Sequence, residues 1–241
     1  MNVQKLSILI PCYNEENTIK NTLKKVLEAN CSLHKEIIVI NDGSTDSSTE
    51  VIQNFIEIHR HASIKLYNHE INKGKGACIK TGMLYATGDV ILIQDADMEY
   101  SPDEYPKLLH PILDGHADVV YGSRFRGSEA HRVLFFSHTI GNKFLTFFSN
   151  VFTGLNLSDM ETGYKVFTSE TIKKIRLKED RFGFEPEFTA KISKIKHIRI
   201  YEVGIAYYGR SYKDGKKISW QDGLRAIYCI LKYNIFSKQN N

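Results

Sequence analysis

The feature that most restricts how this chain can fold is the alternation, across its first half, of short β-branched runs with stretches of helical periodicity. LSILI at 6–10 and EIIVI at 36–40 are apolar without polar alternates, the pattern of strands covered on both faces. Between them, NEENTIKNTLKKVLEAN sets Ile19, Leu23, Val26 and Leu27 on one helical face, with acids in the first turn. NDGSTDSS, a turn rich in capping residues, follows the second run, and Val51, Ile52, Phe55 and Ile56 resume helical spacing. IKLYN at 64–68, a helix over about 75–86, DVILIQ at 89–94 and ADVVYGS at 117–123 continue the series. Such alternation predicts an α/β fold whose mostly parallel, Rossmann-like central sheet is flanked by helices.

After residue 124 the regularity stops. HRVLFFSHTIGNKFLTFFSNVFTGL carries Val133, Phe136, Ile140, Phe144, Phe147, Phe148, Val151 and Leu155 at helical spacing. A stripe of this kind is either core or a face that meets lipid or a lipid-linked substrate. Near the end, Trp220, Leu224, Ile227, Ile230 and Leu231 define another amphipathic helix, flanked by Lys216, Lys217, Arg225 and Lys232. We therefore expect one catalytic domain over 1–215 and, over 216–241, an amphipathic helix suited to a membrane surface. Residues 1–162 carry 15 Lys+Arg against 20 Asp+Glu, whereas residues 163–241 carry 17 against 8. A basic C-terminal third suits an anionic partner such as phosphate, a membrane surface or nucleic acid, or is a solvated face. No run reaches the roughly 18 apolar residues of a membrane span. The apolar run before Pro11 is too short for a signal peptide, and Cys12, Cys31, Cys78 and Cys229 lack metal-ligand or redox spacing. The expectation is a cytoplasmic protein, peripheral to the membrane, with reduced thiols.

Parallel strands end at a common rim, where ligands of open α/β sheets bind. Three strands bring polar residues there: PCYNE after the first, NDGS after the second and QDADME after 89–94. Side chains two apart share a face in extended chain, so Asp95, Asp97 and Glu99 converge if strand geometry persists. Oxygen ligands without Cys or His suit Mg²⁺ or Mn²⁺, which bind a few carboxylates together with substrate phosphates. Taken alone, the same acids fit a solvated loop or a cap for the helix near SPDEY. An EF-hand starting at Asp95 fails, with Tyr100 at its sixth position and Pro106 at its twelfth. A dinucleotide fingerprint fails at Ile79 and in the glycine-free PCYNE, and no Walker A sequence is present.

In order and spacing, SILIPCYNEE, EIIVINDGSTDSS, NKGKGACIKTGMLYATGD, VILIQDADMEYSPDEYPKLL, VVYGSR, DMETGYKVF and FGFEPEFTAK resemble the family 2 inverting glycosyltransferases of GT-A fold. Within these they are most similar to the dolichyl-phosphate and polyprenyl-phosphate sugar transferase branch, typified by its mannosyltransferases. The resemblance implies a nucleoside pocket lined by Pro11, Tyr13 and Glu15, with Asp42 as an exposed carboxylate on the base or ribose. It places Lys73 and Lys75 on the nucleotide and Asp95, Asp97 and Glu99 on the metal and diphosphate, Asp95 also supporting the nucleotide sugar. Arg124 falls where that branch grips its acceptor phosphate, a task for which the planar guanidinium fork is suited. Arg132 and Arg210 are further phosphate candidates, while His138 reads as a packed helix residue. Asp159 and Glu161 occupy the D-x-Q-S-G block, with Glu in place of Gln. Glu185 and Glu187 either order the site or cap a helix.

The expected reaction is metal-dependent transfer of a hexose from GDP-mannose, UDP-glucose or a similar nucleotide sugar to a dolichyl or undecaprenyl phosphate at the cytosolic membrane face. That lipid phosphate, a membrane surface and a membrane-protein partner or second copy are the implied partners, and nucleic acid is not. A phosphate monoester is largely ionised at neutral pH and needs positioning more than a base. A hydroxyl acceptor, the alternative, would need Asp159 or Glu161 as general base. Outside this class, a sugar nucleotidyltransferase and a non-catalytic nucleotide-sugar-binding module remain open.

Overall fold

The computed structural model describes residues 3–127, 132–133, 136–210 and 220–236. Lys216, Lys217, the Trp220 side chain and the expected boundary at 215/216 lie outside the described residues. The chain runs through β1 (Lys5–Cys12), α1 (Ile19–Glu28), β2 (His34–Asn41), α2 (Ser48–Ile58), β3 (Ile64–Asn68), α3 (Lys75–Tyr85) and β4 (Val90–Ile93). It continues through α4 (Tyr105–Leu113), β5 (Val119–Ser123), α5 (Phe136–Thr153), β6 (Lys165–Thr168), α6 (Ser169–Lys173), α7 (Phe184–Ile192), β7 (Ile200–Gly204) and α8 (Trp220–Leu231).

One seven-stranded sheet has the order β3-β2-β1-β4-β6-β5-β7. Only β6 runs against its neighbours β4 and β5; the other pairings are parallel. The strands are apolar on both faces because each face is covered. Leu6, Ile8, Ile10, Ile37 and Val39 pack against Ile19 and Leu23 of α1, Ile52 and Phe55 of α2, and Leu108 of α4. Leu9, Ile38, Ile40, Ile91 and Ile93 pack on the other side against Ile79 of α3, Phe184 and Phe188 of α7, and Ile230 of α8. Each such side chain, fully buried, contributes about 1.5–3 kcal/mol.

One expectation about this frame changes, and one open alternative narrows. The DVILIQ strand stops at Ile93, so strand geometry does not persist into the acids. The aromatic stripe of α5 is largely uncovered. Phe136, Ile140, Phe144, Phe147 and Val151 are all at least half exposed, whereas Phe148 and Phe152 pack on the core. On α8, Ile230 is core but Leu224 and Tyr228 are exposed. No described helix is long and apolar enough to cross a membrane.

Candidate active site

The acids after β4 sit in a turn that is pinned from below. Gln94, fully buried, accepts hydrogen bonds from the Tyr105 and Tyr164 hydroxyls at 2.9 and 2.7 Å. Its amide donates to the carbonyls of Asp95 and Tyr100 at 3.0 and 3.3 Å. Met98 adopts φ +64°, a left-handed conformation that costs a non-glycine residue about 1 kcal/mol and turns the chain between Asp97 and Glu99. The Glu99 N–H then bonds Asp97 Oδ1 at 3.1 Å. The acids therefore meet through a turn, not through strand alternation.

Antiparallel β6 brings a second chain segment to this rim, because a strand that runs backwards begins where its neighbours end. The 159–164 segment crosses beside the acidic turn, and Gly163 is the contact. A Cβ at 163 would lie 2.2 Å from Asp95 Oδ2, so any larger residue there would have to push the Asp95 carboxylate aside.

Each acid already has a partner. Lys75 Nζ lies 2.8 Å from Asp95 and 3.3 Å from Glu185. Asp97 pairs with Arg210 at 3.2 Å. Glu99 accepts from the Tyr207 hydroxyl at 2.8 Å and from the Arg210 N–H at 2.6 Å. Burial, together with the Asp95 and Glu99 carboxylates, pushes the Asp97 carboxyl up to about 7, against the pull of Arg210. That crowding of negative charge fits a cation. The three acids are nevertheless not a preformed cage. Among the described residues, the group with all its potential ligand atoms within 4.8 Å of one another is Asp42, His69 and Cys78. An ion that takes a few carboxylates and completes its shell with phosphate oxygens matches the observed set.

On the expected nucleotide side, Pro11 is the penultimate residue of β1 and Tyr13 directly follows the strand, both partly buried. The Glu15 carboxylate faces Arg210 at 3.0 Å through both oxygens and also accepts from the Thr18 hydroxyl at 2.7 Å. Asp42 departs from its expected exposure: it is buried. Its carboxylate accepts from His69 Nδ1 at 2.7 Å and from the N–H groups of Lys73 and Gly74 at 3.0 and 2.7 Å. It thus fixes the Lys73–Gly76 turn, and Cys78, its buried neighbour, is pushed up by desolvation and by Asp42. Lys73 stays exposed, whereas Lys75 is turned inward. Gly76 is required by close approach: a Cβ there would meet the Glu179 carbonyl oxygen at 2.5 Å.

On the expected acceptor side, the Arg124 fork is closed on Asp159, with Nε and NH2 each at 2.7 Å and the backbone N–H at 3.0 Å. Tyr207 stacks over the guanidinium at 5.3 Å. Asp159 is fully buried. Arg132 donates to the Gly209 carbonyl at 2.6 Å and braces the segment that carries Arg210. Glu161 is pushed up to about 8 by burial and by Glu185, against Lys165 and Arg124, and its Oε1 is buried without a hydrogen bond. Glu187 accepts from the N–H groups of Lys178 and Glu179, holding the loop before α7.

Sequence reasoning missed four residues that organise the site. Gln94 and Tyr207 were passed over because neither is charged. Buried Lys165, held by the carbonyls of Met160 and Thr162, lies inside the DMETGYKVF block; a lysine followed directly by apolar Val166 and Phe167 is the signal. Glu179 is the fourth. It binds Arg225, Lys232 and Tyr233 at 2.6, 2.9 and 2.6 Å, so some basic charge of α8 is spent internally.

A model of the family described as "Glycosyl transferase family 2" matches residues 7–176. Dolichyl-phosphate beta-glucosyltransferase ALG5A of Trichomonas vaginalis is 29% identical, the alignment covering 97% of this chain and 74% of that protein. UDP-N-acetylglucosamine--dolichyl-phosphate N-acetylglucosaminyltransferase of Methanococcus voltae is 26% identical over 93% of this chain and 94% of its own. Among solved structures, glucosyl-3-phosphoglycerate synthase from Mycobacterium tuberculosis, in complex with Mn²⁺, UDP and phosphoglyceric acid, superposes with a TM-score of 0.74. It is 15% identical, with 99% of this chain and 81% of that chain covered, a likeness of fold.

Proposed function

The chain belongs to glycosyl transferase family 2, and from that premise we propose that it transfers a hexose from a nucleotide sugar to a polyprenyl phosphate at the cytosolic face of a membrane. The observation that carries the acceptor class is the closed Asp159–Arg124 pair. A hydroxyl acceptor needs a carboxylate free to take its proton, and both Asp159 oxygens are engaged. An ionised phosphate needs no such base; it attacks the anomeric carbon as the sugar–diphosphate bond breaks. Two relatives named for dolichyl phosphate support this reading, as does the uncovered aromatic stripe of α5. The rim and the stripe lie close together: Arg124 and Phe125 directly follow β5, and Lys143 of α5 lies 5.9 Å from the Phe125 ring.

In this reading Asp97, with Asp95 and Glu99, would hold Mg²⁺ or Mn²⁺. The ion supplies positive charge against the leaving diphosphate. Pro11, Tyr13 and the Asp42-fixed turn bearing Lys73 form the nucleoside side of the site. Arg124, oriented by Asp159, and Arg132 lie toward the acceptor. The 1–215 unit would carry catalysis, and the helix within 216–241 would meet the membrane surface together with α5. The rival reading, a saccharide or glycolipid hydroxyl as acceptor, rests on Glu161, whose raised carboxyl suits a general base.

The test presents GDP-mannose, UDP-glucose and UDP-GlcNAc with a short polyprenyl phosphate and Mn²⁺ or Mg²⁺, with and without chelator. Release of nucleoside diphosphate that depends on both lipid phosphate and metal is expected. Release driven instead by a saccharide hydroxyl would move the reaction to the rival reading, and pyrophosphate release would overturn both. Asp97→Asn is expected to fold and to lose turnover; a fully active variant would refute the metal assignment.

A further inference from the structure

Arg210 was expected on phosphate, and the structure finds it on carboxylates. Its NH1 and NH2 reach the two Glu15 oxygens at 3.0 Å each, a bidentate fork, and NH2 also reaches Asp97 at 3.2 Å. Its backbone N–H bonds Glu99 at 2.6 Å. A single residue thus touches three acids from two different strand ends. The side chain is only 18% exposed, and its Nε is buried without a hydrogen bond. The segment is braced independently, by Tyr208 N–H on the Glu99 carbonyl and by Arg132 on the Gly209 carbonyl.

We propose that the Arg210 guanidinium is the resident counter-ion of the cation site, joining Glu15 to Asp97 in the ligand-free enzyme and leaving when a divalent ion arrives with a diphosphate. This rests on the reading of Asp95, Asp97 and Glu99 as the metal site. Clustered carboxylates in a desolvated pocket repel unless a cation sits among them, and Arg210 meets that need. A divalent ion on Asp97 would lie within a few ångströms of the guanidinium, where two cations repel strongly. The ion and Arg210 therefore exclude one another. A diphosphate changes the balance, because it brings anionic oxygens that the freed guanidinium fork can grip. Glu15, placed in the nucleoside pocket on sequence grounds, becomes the anchor that holds Arg210 until then. Metal alone binds poorly on this account, and metal with nucleotide binds well.

The test is Mn²⁺ binding followed by electron paramagnetic resonance, with and without UDP or GDP and without turnover. In the wild type, Mn²⁺ binds weakly alone and much more tightly with nucleotide. Arg210→Gln should tighten nucleotide-free Mn²⁺ binding about tenfold or more, since removing a competing charge a few ångströms away is an effect of that order. It should also shrink the gain on adding nucleotide. Glu15→Gln gives a second, independent arm: it loosens the hold on Arg210, so Mn²⁺ should again bind more tightly. Weaker Mn²⁺ binding in Glu15→Gln would make Glu15 a ligand and overturn the proposal. Equal Mn²⁺ affinity in all three proteins overturns the role of Arg210 and leaves the metal site standing. Absence of Mn²⁺ binding in every protein, even with nucleotide, overturns both.

Discussion

Asp159→Asn separates two roles that a buried carboxylate at this rim could have. The substitution keeps size and one acceptor oxygen for the Arg124 N–H but removes the charge from a fork with two 2.7 Å contacts. Arg124 retains only 11% exposure of its side chain, so water compensates little of the loss. Stripping one partner from a buried pair costs about 3–5 kcal/mol, and the Tyr207 ring at 5.3 Å offsets about 0.5–1 kcal/mol of that. A net loss of about 3 kcal/mol should lower Tm by about 6–12 °C in a chain of this size. Urea melts of Asp159→Asn, Arg124→Met and the double variant provide the cycle. Removing both charges should recover at least about 1 kcal/mol relative to the sum of the single changes. For catalysis, a positioning role predicts a raised KM for the lipid phosphate and a pH–rate profile of unchanged shape. Additive stabilities within about 0.5 kcal/mol, or loss of the limb that reports a general base, would refute the reasoning.

Stability at low pH should report Glu36. Burial works against its charge. Hydrogen bonds from the Thr87 N–H, the Ser7 and Thr87 hydroxyls and Lys65 outweigh burial and hold its carboxyl down to about 2. A depressed carboxylate stabilises fully above its unfolded pKa, so the contribution should fade as pH drops from about 4.5 toward 2. Lys5 and Lys65 are partly exposed, so about 2–3 kcal/mol is expected; urea melts at pH 7, 4 and 3 should show Glu36→Gln losing this slope. Gly163→Ala should displace Asp95, costing about 1–3 kcal/mol in denaturant melts and weakening Mn²⁺–nucleotide binding in calorimetry. The paired change Phe136→Ser/Phe147→Ser removes side chains that are 80% and 65% exposed. It should leave Tm nearly unchanged while reducing sedimentation with anionic vesicles, and undiminished sedimentation would remove α5 from the membrane contact.

What could be read from the chain follows the range of the forces involved. Strand–helix alternation is a local record of two-sided burial, and β1 through β5 fall where the apolar runs put them. Direction is not local. β6 is four residues long, and nothing in KVFT says that it runs against its neighbours. Yet that reversal is what delivers Gly163 and Asp159 to the rim. The acids after β4 show the same limit at smaller scale: DADME alternates like a strand, but Met98 bends it into a turn. The exposure of Asp42 is not legible because NDGS looks the same whether its carboxylate faces water or the N–H groups of a turn 31 and 32 residues on.

The ion pairs that decide the site's resting state are the least local of all. Glu15 and Arg210 are 195 residues apart, and Arg124 and Asp159 are joined only because β5 and β6 pair. A motif identifies which side chains reach a rim; it does not say how they are paired there. That distinction matters for function. Seven charged groups that read as site residues (Glu15, Lys75, Asp95, Asp97, Arg124, Asp159 and Arg210) are bound to one another in the structure. Substrate must therefore exchange existing pairs for new ones, and affinity depends on the difference between the two sets. A metal–diphosphate complex, carrying both signs of charge, can satisfy carboxylates and guanidinium in one step, where a lone cation or a lone anion would strand one of them.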